Sequence, residues 1–496
     1  MDFDDSQSKL AAREFLAVIL AGFGNELLPL TGNNGDEPCP KALLPIANKP
    51  MIDYPLTWLE ASGIRDVLLI CPTLHRAALS NYINSDSSAS SYPSLRIDLQ
   101  PYDESENLSV GTCQILRHFS QRIQQDFLIM SCDYVPPPSL PLSTILNKFR
   151  TETTYDGALA TALFFEQNRP DKSSSSEEWG AGPAAVPVVW EERTGTLLHV
   201  ETPDDMDRNE EHLVLNMNLL QKFPRAKLSA NLQDAHVYVC RRSVIDLLNE
   251  KSRLESLREE FIPWLCTPQY HPQKRAKYGH IFDSTHNAPS QRLALEHGTL
   301  YDDYLGTSNR IGNSAASSPI EDDKPVGGPS LRVGVVVHRA SAGFTARANN
   351  LPSYLELNRH FLSQTSYTLP TDPESRSLID PKAQISSDSM VGHTTKVGER
   401  TSIKKSVIGK HCVIGKSVKI NGCVVLDHCT IADGAKLEGC ILGTGTNVGA
   451  KAELVKCVTQ AGYEVEEGGN YKHERLDVSD WTAAHDYSED DSSEED

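Results

Sequence analysis

Aliphatic residues recur at Ile385, Val391, Val397, Ile403, Ile408, Ile414 and Ile420, spaced by sixes with one five. The register continues, with one or two slips, through Val425, Ile431, Leu437, Leu442, Val448 and Leu454. Glycine follows several of them, as in Val391-Gly392, Val397-Gly398, Ile408-Gly409, Ile414-Gly415 and Val448-Gly449. One inward aliphatic and one turn residue per hexad is the signature of a hexapeptide β-helix, with three hexads to each triangular coil. A stretch of about 70 residues then gives roughly four coils. A meander of short antiparallel strands would rarely hold one register so long. Cys423 and Cys429 fall one hexad apart and take equivalent positions on adjacent faces.

The first 270 residues follow another pattern, in which apolar strand-like runs alternate with helical segments. Strands are predicted at Phe15–Leu20, Val67–Cys71, Phe127–Met130, Ala158–Leu163 and Val237–Cys240, and a helix over Met51–Ser62, ended by Gly63. This alternation predicts an open, mostly parallel α/β sheet with ligands at the carboxyl ends of its strands. Two stretches interrupt it: the Ser-rich insertion near 171–178 and the low-complexity segment 273–329. Order returns over 331–370, with the strand Val333–Val337 and a helix over Leu351–Leu362 begun by Pro352. The expected layout is an α/β domain over 13–270, its end and connector over 331–370, a β-helix over 381–460 and an acidic tail over 461–496.

A chain of 496 residues is too long for one core. Its net charge of −20 disfavours nucleic-acid binding through a broad basic surface. Part of that charge is local, because Asp486–Asp496 carries seven acidic residues in eleven. Such a block cannot bury a core and reads as a solvated tail, with Ser488 a candidate for an acid-directed kinase. The eleven cysteines show no C-x-x-C pair and no zinc spacing, and read as small buried hydrophobes. There is no 18-residue apolar run, and the N-terminus lacks an apolar signal core. The expected location is cytosolic.

The strand Phe15–Leu20 runs directly into Ala21-Gly-Phe-Gly-Asn-Glu26, and Lys41 follows. A glycine turn after a strand lets backbone N–H groups approach phosphates, and a lysine can neutralise them. Gly22, Gly24 and Lys41 are the candidates for that role. Glu26 has the wrong sign for a triphosphate.

Three stretches resemble the sugar-phosphate nucleotidyltransferases: Leu20-Ala-Gly-Phe-Gly-Asn-Glu-Leu-Leu-Pro-Leu-Thr31, Pro40-Lys-Ala-Leu-Leu-Pro-Ile-Ala-Asn-Lys-Pro-Met-Ile52 and Asn107-Leu-Ser-Val-Gly-Thr112. The resemblance implies that Gly111 and Thr112 meet the nucleotide base. It also implies that Asp133, ending Phe127-Leu-Ile-Met-Ser-Cys-Asp133, holds a magnesium ion. A Rossmann-like nucleotidyltransferase domain followed by a left-handed parallel β-helix is the layout of several members.

The chain departs from that pattern in three ways. One turn glycine is missing, Glu26 stands where the family places a triphosphate-binding arginine, and no W-x-D-x-G segment supplies a second metal carboxylate. Two unit charges at 4 Å interact by about 4 kcal/mol at an effective dielectric of about 20. Exchanging that attraction for repulsion lowers nucleotide affinity by several orders of magnitude. Asp36 and Glu37 add negative charge to an unusually long loop. Lys41 and Asp133 each have a structural reading as well, as a solvated charge and a helix cap.

A degenerate nucleotidyltransferase domain fused to a hexapeptide β-helix resembles the large subunits, gamma and epsilon, of eukaryotic translation initiation factor 2B. Asn231-Leu-Gln-Asp-Ala-His-Val-Tyr238, Leu254-Glu-Ser-Leu-Arg-Glu-Glu-Phe-Ile-Pro-Trp-Leu265 and Arg347-Ala-Asn-Asn-Leu-Pro-Ser-Tyr-Leu-Glu-Leu-Asn358 favour the gamma branch. The short stretch after the β-helix leaves no space for the helical exchange domain of epsilon. The resemblance implies a non-catalytic subunit without a cofactor. Its expected partners are epsilon, the alpha, beta and delta subunits of a decamer, and the gamma subunit of initiation factor 2. Two alternatives stand beside it: an active sugar-1-phosphate nucleotidyltransferase, and a remnant pocket that binds a nucleotide without chemistry.

Overall fold

The computed structural model describes residues 14–33, 38–85, 92–103, 110–167, 186–208, 212–283, 331–364, 370 and 372–477. Asp36, Glu37, the Asn107-Leu-Ser end of the expected base-binding stretch, the Ser-rich insertion and the acidic block 486–496 lie outside them.

The runs Phe15–Leu20 (β1) and Asp126–Ser131 (β4) are almost wholly apolar because they are buried on both sheet faces. They pair in parallel from Phe15↔Asp126 to Leu20↔Ser131 in the interior of a ten-stranded sheet. The other strands are Asp66–Pro72 (β2), Arg96–Tyr102 (β3), Ala160–Glu166 (β5), Val188–Glu191 (β6), Thr196–Val200 (β7), Ala226–Ser229 (β8), Leu232–Cys240 (β9) and Val333–His338 (β10). Their order is β8-β6-β7-β10-β5-β9-β4-β1-β2-β3. The sheet is mixed rather than mostly parallel, since β9 runs antiparallel to both β4 and β5. A buried antiparallel strand is as continuously apolar as a parallel one, so its composition hides its direction. The expected low-complexity segment 273–329 also begins too early, because the helix Pro272–Asp283 occupies its start.

The repeat region folds into three sheets of six, six and five short parallel strands. Ile403, Ile420, Leu437 and Leu454 stack in register, seventeen residues apart. The slips in the sequence period are therefore regular, with steps of six, six and five closing each coil. The short step falls at one corner, where Lys405, Gly422, Gly439, Lys456 and His473 all adopt positive φ. Strands continue past 460 through Glu464–Val465, Asn470–Lys472 and Arg475–Leu476. Val465, Tyr471 and Leu476 fill the inward slot there, and Thr459 followed by Tyr471 in that slot broke the aliphatic pattern. Ten of the eleven cysteines are buried. Cys412, Cys423, Cys429, Cys440 and Cys457 are small residues that line the core of the prism.

The chain divides into two compact units that cut across its order. One comprises Met1–Ala21, Ile52–Asp171 and Pro183–Arg347, the other Gly22–Met51, Lys172–Gly182 and Ala348–Asp496. The glycine turn thus belongs with the β-helix.

A Cβ added at Gly409 would lie 2.5 Å from Asp427 Oδ1 and 2.6 Å from the Leu426 carbonyl carbon. At Gly22 it would meet nothing within 4 Å. Gly409→Ala is therefore expected to lower stability by about 1–3 kcal/mol in chemical denaturation, as overpacking does. Gly22→Ala should unfold with the wild type. Equal midpoints for the two variants would contradict this stacking.

Candidate functional site

The residues expected to bind a nucleotide fall into both units, Gly22, Gly24 and Lys41 in one, beside the wrong-sign Glu26, and Gly111 and Thr112 in the other, with the expected metal residue Asp133. Each group has its own surroundings.

Asp133 follows β4 and is fully buried. The short strand Ala346–Arg347 pairs antiparallel with Tyr134–Val135, placing Arg347 opposite Tyr134. Thr345 Oγ1 donates to the Val135 carbonyl at 2.7 Å and fixes that register. The guanidinium then forks onto the carboxylate, with Nε donating to Asp133 Oδ1 at 3.0 Å and Nη2 to Oδ2 at 3.1 Å. Ser131 Oγ donates to the same Oδ1. Burial alone would lower the Arg347 pKa, but Asp133, with Asp234 and Tyr238, raises it instead. The fork sets the guanidinium directly against the buried carboxylate.

Asp234, on β9, is a second buried carboxylate that acts on this guanidinium. Tyr238 donates its hydroxyl to Asp234 Oδ2, and the His236 N–H donates to Oδ1 at 2.8 Å. Burial raises the Asp234 pKa, opposed by Arg258, those hydrogen bonds and Arg347. Two carboxylates and two arginines thus form one compensated cluster. Among the described residues, no group of three or more His, Cys, Asp or Glu side chains is arranged to hold a metal ion.

Gly111 and Thr112 open the helix Thr112–His118. A Cβ at Gly111 would lie 2.5 Å from the Glu255 carbonyl oxygen. The Cys113 N–H donates to that oxygen at 2.8 Å, and Thr112 Oγ1 accepts the Leu257 N–H at 2.7 Å. The segment expected to meet a base is covered by the chain's own 255–257 backbone.

In the other unit, Gly24 turns the chain at φ 82°. Its carbonyl accepts from Thr31 Oγ1 at 3.0 Å, and a Cβ there would lie 2.8 Å from Lys41 Cδ. Only glycine fits both demands. Lys41 is 5% exposed, and its ammonium donates to Asn349 Oδ1 at 2.6 Å. Glu26 lies exposed on a single 3-10 turn, Asn25–Leu27. The rest of the segment lies on the β-helix. Asn48 Nδ2 donates to the Ile408 carbonyl at 2.8 Å, and Gln460 Nε2 to the Asn33 carbonyl at 2.6 Å. Asn358, wholly buried on the helix Leu351–Gln364, accepts the Ala47 N–H at 2.9 Å. The outward residues of that prism face, Val407, Val424, Ile441 and Val458, are at most 2% exposed.

Arg347, Asn349, Asp234 and Arg258 were not read as site residues from the sequence. Arg347, Asn349 and Asp234 lie in stretches singled out only for resemblance, and nothing in their spacing reveals which charge each engages.

An α/β domain of nucleotidyltransferase type followed by a left-handed β-helix defines the class of this protein. A family model described as "Nucleotidyl transferase" matches residues 16–172, and one described as "EIF2B subunit epsilon LbH domain" matches residues 374–470. The protein named "Translation initiation factor eIF2B subunit gamma" of Schizosaccharomyces pombe is 33% identical over 391 residues, 79% of this chain and 72% of its own. The proteins of the same name from Caenorhabditis elegans and Dictyostelium discoideum are 27% and 23% identical, over 53% and 80% of this chain and 61% and 87% of theirs. The chain belongs to the family of eIF2B gamma subunits. Among the described residues, no helix is long and apolar enough to cross a membrane.

Removing one partner of a buried ion pair typically costs about 3–5 kcal/mol. Arg347→Met is expected to lose that much in urea denaturation, and the double variant Asp133→Leu/Arg347→Met to regain most of it. A neutral Arg347→Met would show that the pair does not hold this part of the fold.

Proposed function

We propose that this chain is a non-catalytic regulatory and scaffolding subunit of the guanine-nucleotide exchange factor for initiation factor 2. It acts in the cytosol, pairs with an epsilon subunit and joins alpha, beta and delta subunits in a decamer. It contacts the gamma subunit of initiation factor 2. The observation that carries the non-catalytic part is the bidentate Asp133–Arg347 pair. A magnesium ion demands near-octahedral oxygen ligation at about 2.0–2.1 Å and keeps several waters. It does not fit at a buried carboxylate whose two oxygens both accept from one guanidinium. Lys41 is drawn to Asn349 and Gly111–Thr112 to the 255–257 backbone, so phosphate and base would each have to displace an internal partner. Gly22, Gly24, Lys41, Gly111, Thr112 and Asp133 are then retained for the fold, and Glu26 marks the lost phosphate clamp.

The assembly part rests on family membership and on the prism, whose flat sheet faces suit lasting side-by-side association. Co-expression with an epsilon subunit should give a complex that co-elutes and releases GDP from initiation factor 2 faster than epsilon alone. The same preparation should release no pyrophosphate from nucleoside triphosphates and sugar 1-phosphates with magnesium. Separate elution, or turnover abolished by Asp133→Asn, would overturn the proposal.

A further inference from the structure

In a chain of net charge −20, the start of the β-helix is basic. Lys396 and Val397 open one face of the prism, and Ser402–Lys404 form the second strand of the next, after Gln384–Ile385. Around the corner between them stand Lys382, Lys396, Arg400, Lys416 and Lys419, all exposed. Three acids stand beside them. Glu399 is shared, 3.4 Å from Lys382 Nζ and 3.3 Å from Lys416 Nζ. Asp380 and Asp433 accept the backbone N–H groups of Lys382 and Lys416 at 2.8 and 2.6 Å. Among the described residues, Lys396, Arg400 and Lys419 have no ion-pair partner.

The stacked ladders show how this charge changes along the prism. One runs Lys396, Val413, Thr430, Asn447, Glu464, and the other Ser402, Lys419, Lys436, Glu453, Asn470. Glu464, Glu466 and Glu467 are exposed at the far end, near where the last strand, Arg475–Leu476, closes the prism. A polyanionic segment leaving that end is repelled by the last coil and attracted by the first two.

We infer that the acidic segment Asp486–Asp496 of this chain docks on the basic corner formed by Lys396, Arg400, Lys416 and Lys419. Its seven acidic residues match the sign and the density of the corner. The reach is sufficient. Ten residue steps separate Leu476 from Asp486 and span up to about 33–36 Å when extended. Five strand spacings cover only about 24 Å along the prism. Tethering keeps the segment at a high effective concentration, so modest ion pairing holds it. The contact lies near the surface and is therefore screened by salt. A phosphate on Ser488 would add about −1.5 to −2 charge and tighten it. The corner is thus covered until a stronger anion displaces the tail.

Zero-length carbodiimide coupling, which joins carboxylates to lysine amines in contact, tests this on the full-length chain mixed with its ¹⁵N-labelled copy. Low salt should give couplings within one chain between 486–496 and Lys396, Lys416 and Lys419. Their yield should fall at least fivefold at 0.5 M salt, where the screening length is about 4 Å or less. In Lys396→Gln/Arg400→Gln, an exposed double variant that should melt with the wild type, coupling through the untouched Lys416 should fall similarly. Tail couplings absent from these lysines, spread evenly over surface lysines, or formed only between labelled and unlabelled chains would each overturn the inference.

Discussion

The α/β unit is organised around the buried ion pair of Asp133 and Arg347. A carboxylate with no exposed surface is tolerated only when its charge is matched and its lone pairs are satisfied. A guanidinium forks onto it better than an ammonium, because its planar donors match both oxygens at once. The pairing of Ala346–Arg347 with Tyr134–Val135 sets the required geometry. Asp234 and Arg258 extend the compensation, so the charges at the carboxyl end of β4 and the amino end of β9 face opposite charges within the chain. Sites that bind phosphates and metals leave such charges unmatched until the ligand arrives.

The segment Gly22–Met51 follows the same logic. A strand-to-turn sequence that would cradle phosphates is held instead to the β-helix by Asn48, Gln460 and Asn358. Outward-facing Val407, Val424, Ile441 and Val458 bury against neighbours where an exposed prism face would carry polar residues. Retention of Gly24 follows from its φ of 82° and its closeness to Lys41.

The repeat was legible because its period is enforced at each hexad by one inward aliphatic residue. Even its irregularities carried meaning, since the five-residue steps mark one corner. The end of the prism was hidden because Thr459 and then Tyr471 take aliphatic slots. Six of the ten sheet strands were legible from apolar runs, while β3, β6, β7 and β8 were not, and directions stayed hidden because they depend on partners distant in sequence. Glu26 was readable as an anomaly from its sign alone. The partners of Asp133 and Lys41 were not, because Arg347 and Asn349 lie more than 200 residues along the chain. No local pattern encodes such a contact.

Whether the carboxylate inherited at Asp133 is neutralised from within can be read at the atom concerned. Manganese anomalous scattering from crystals of the full-length chain, soaked with the metal and a nucleoside triphosphate, reports on it. Internal neutralisation gives no anomalous peak within ligand distance of Asp133 and an Arg347 guanidinium still forked onto both oxygens. A manganese ion bound to Asp133, with Arg347 swung aside, would contradict it.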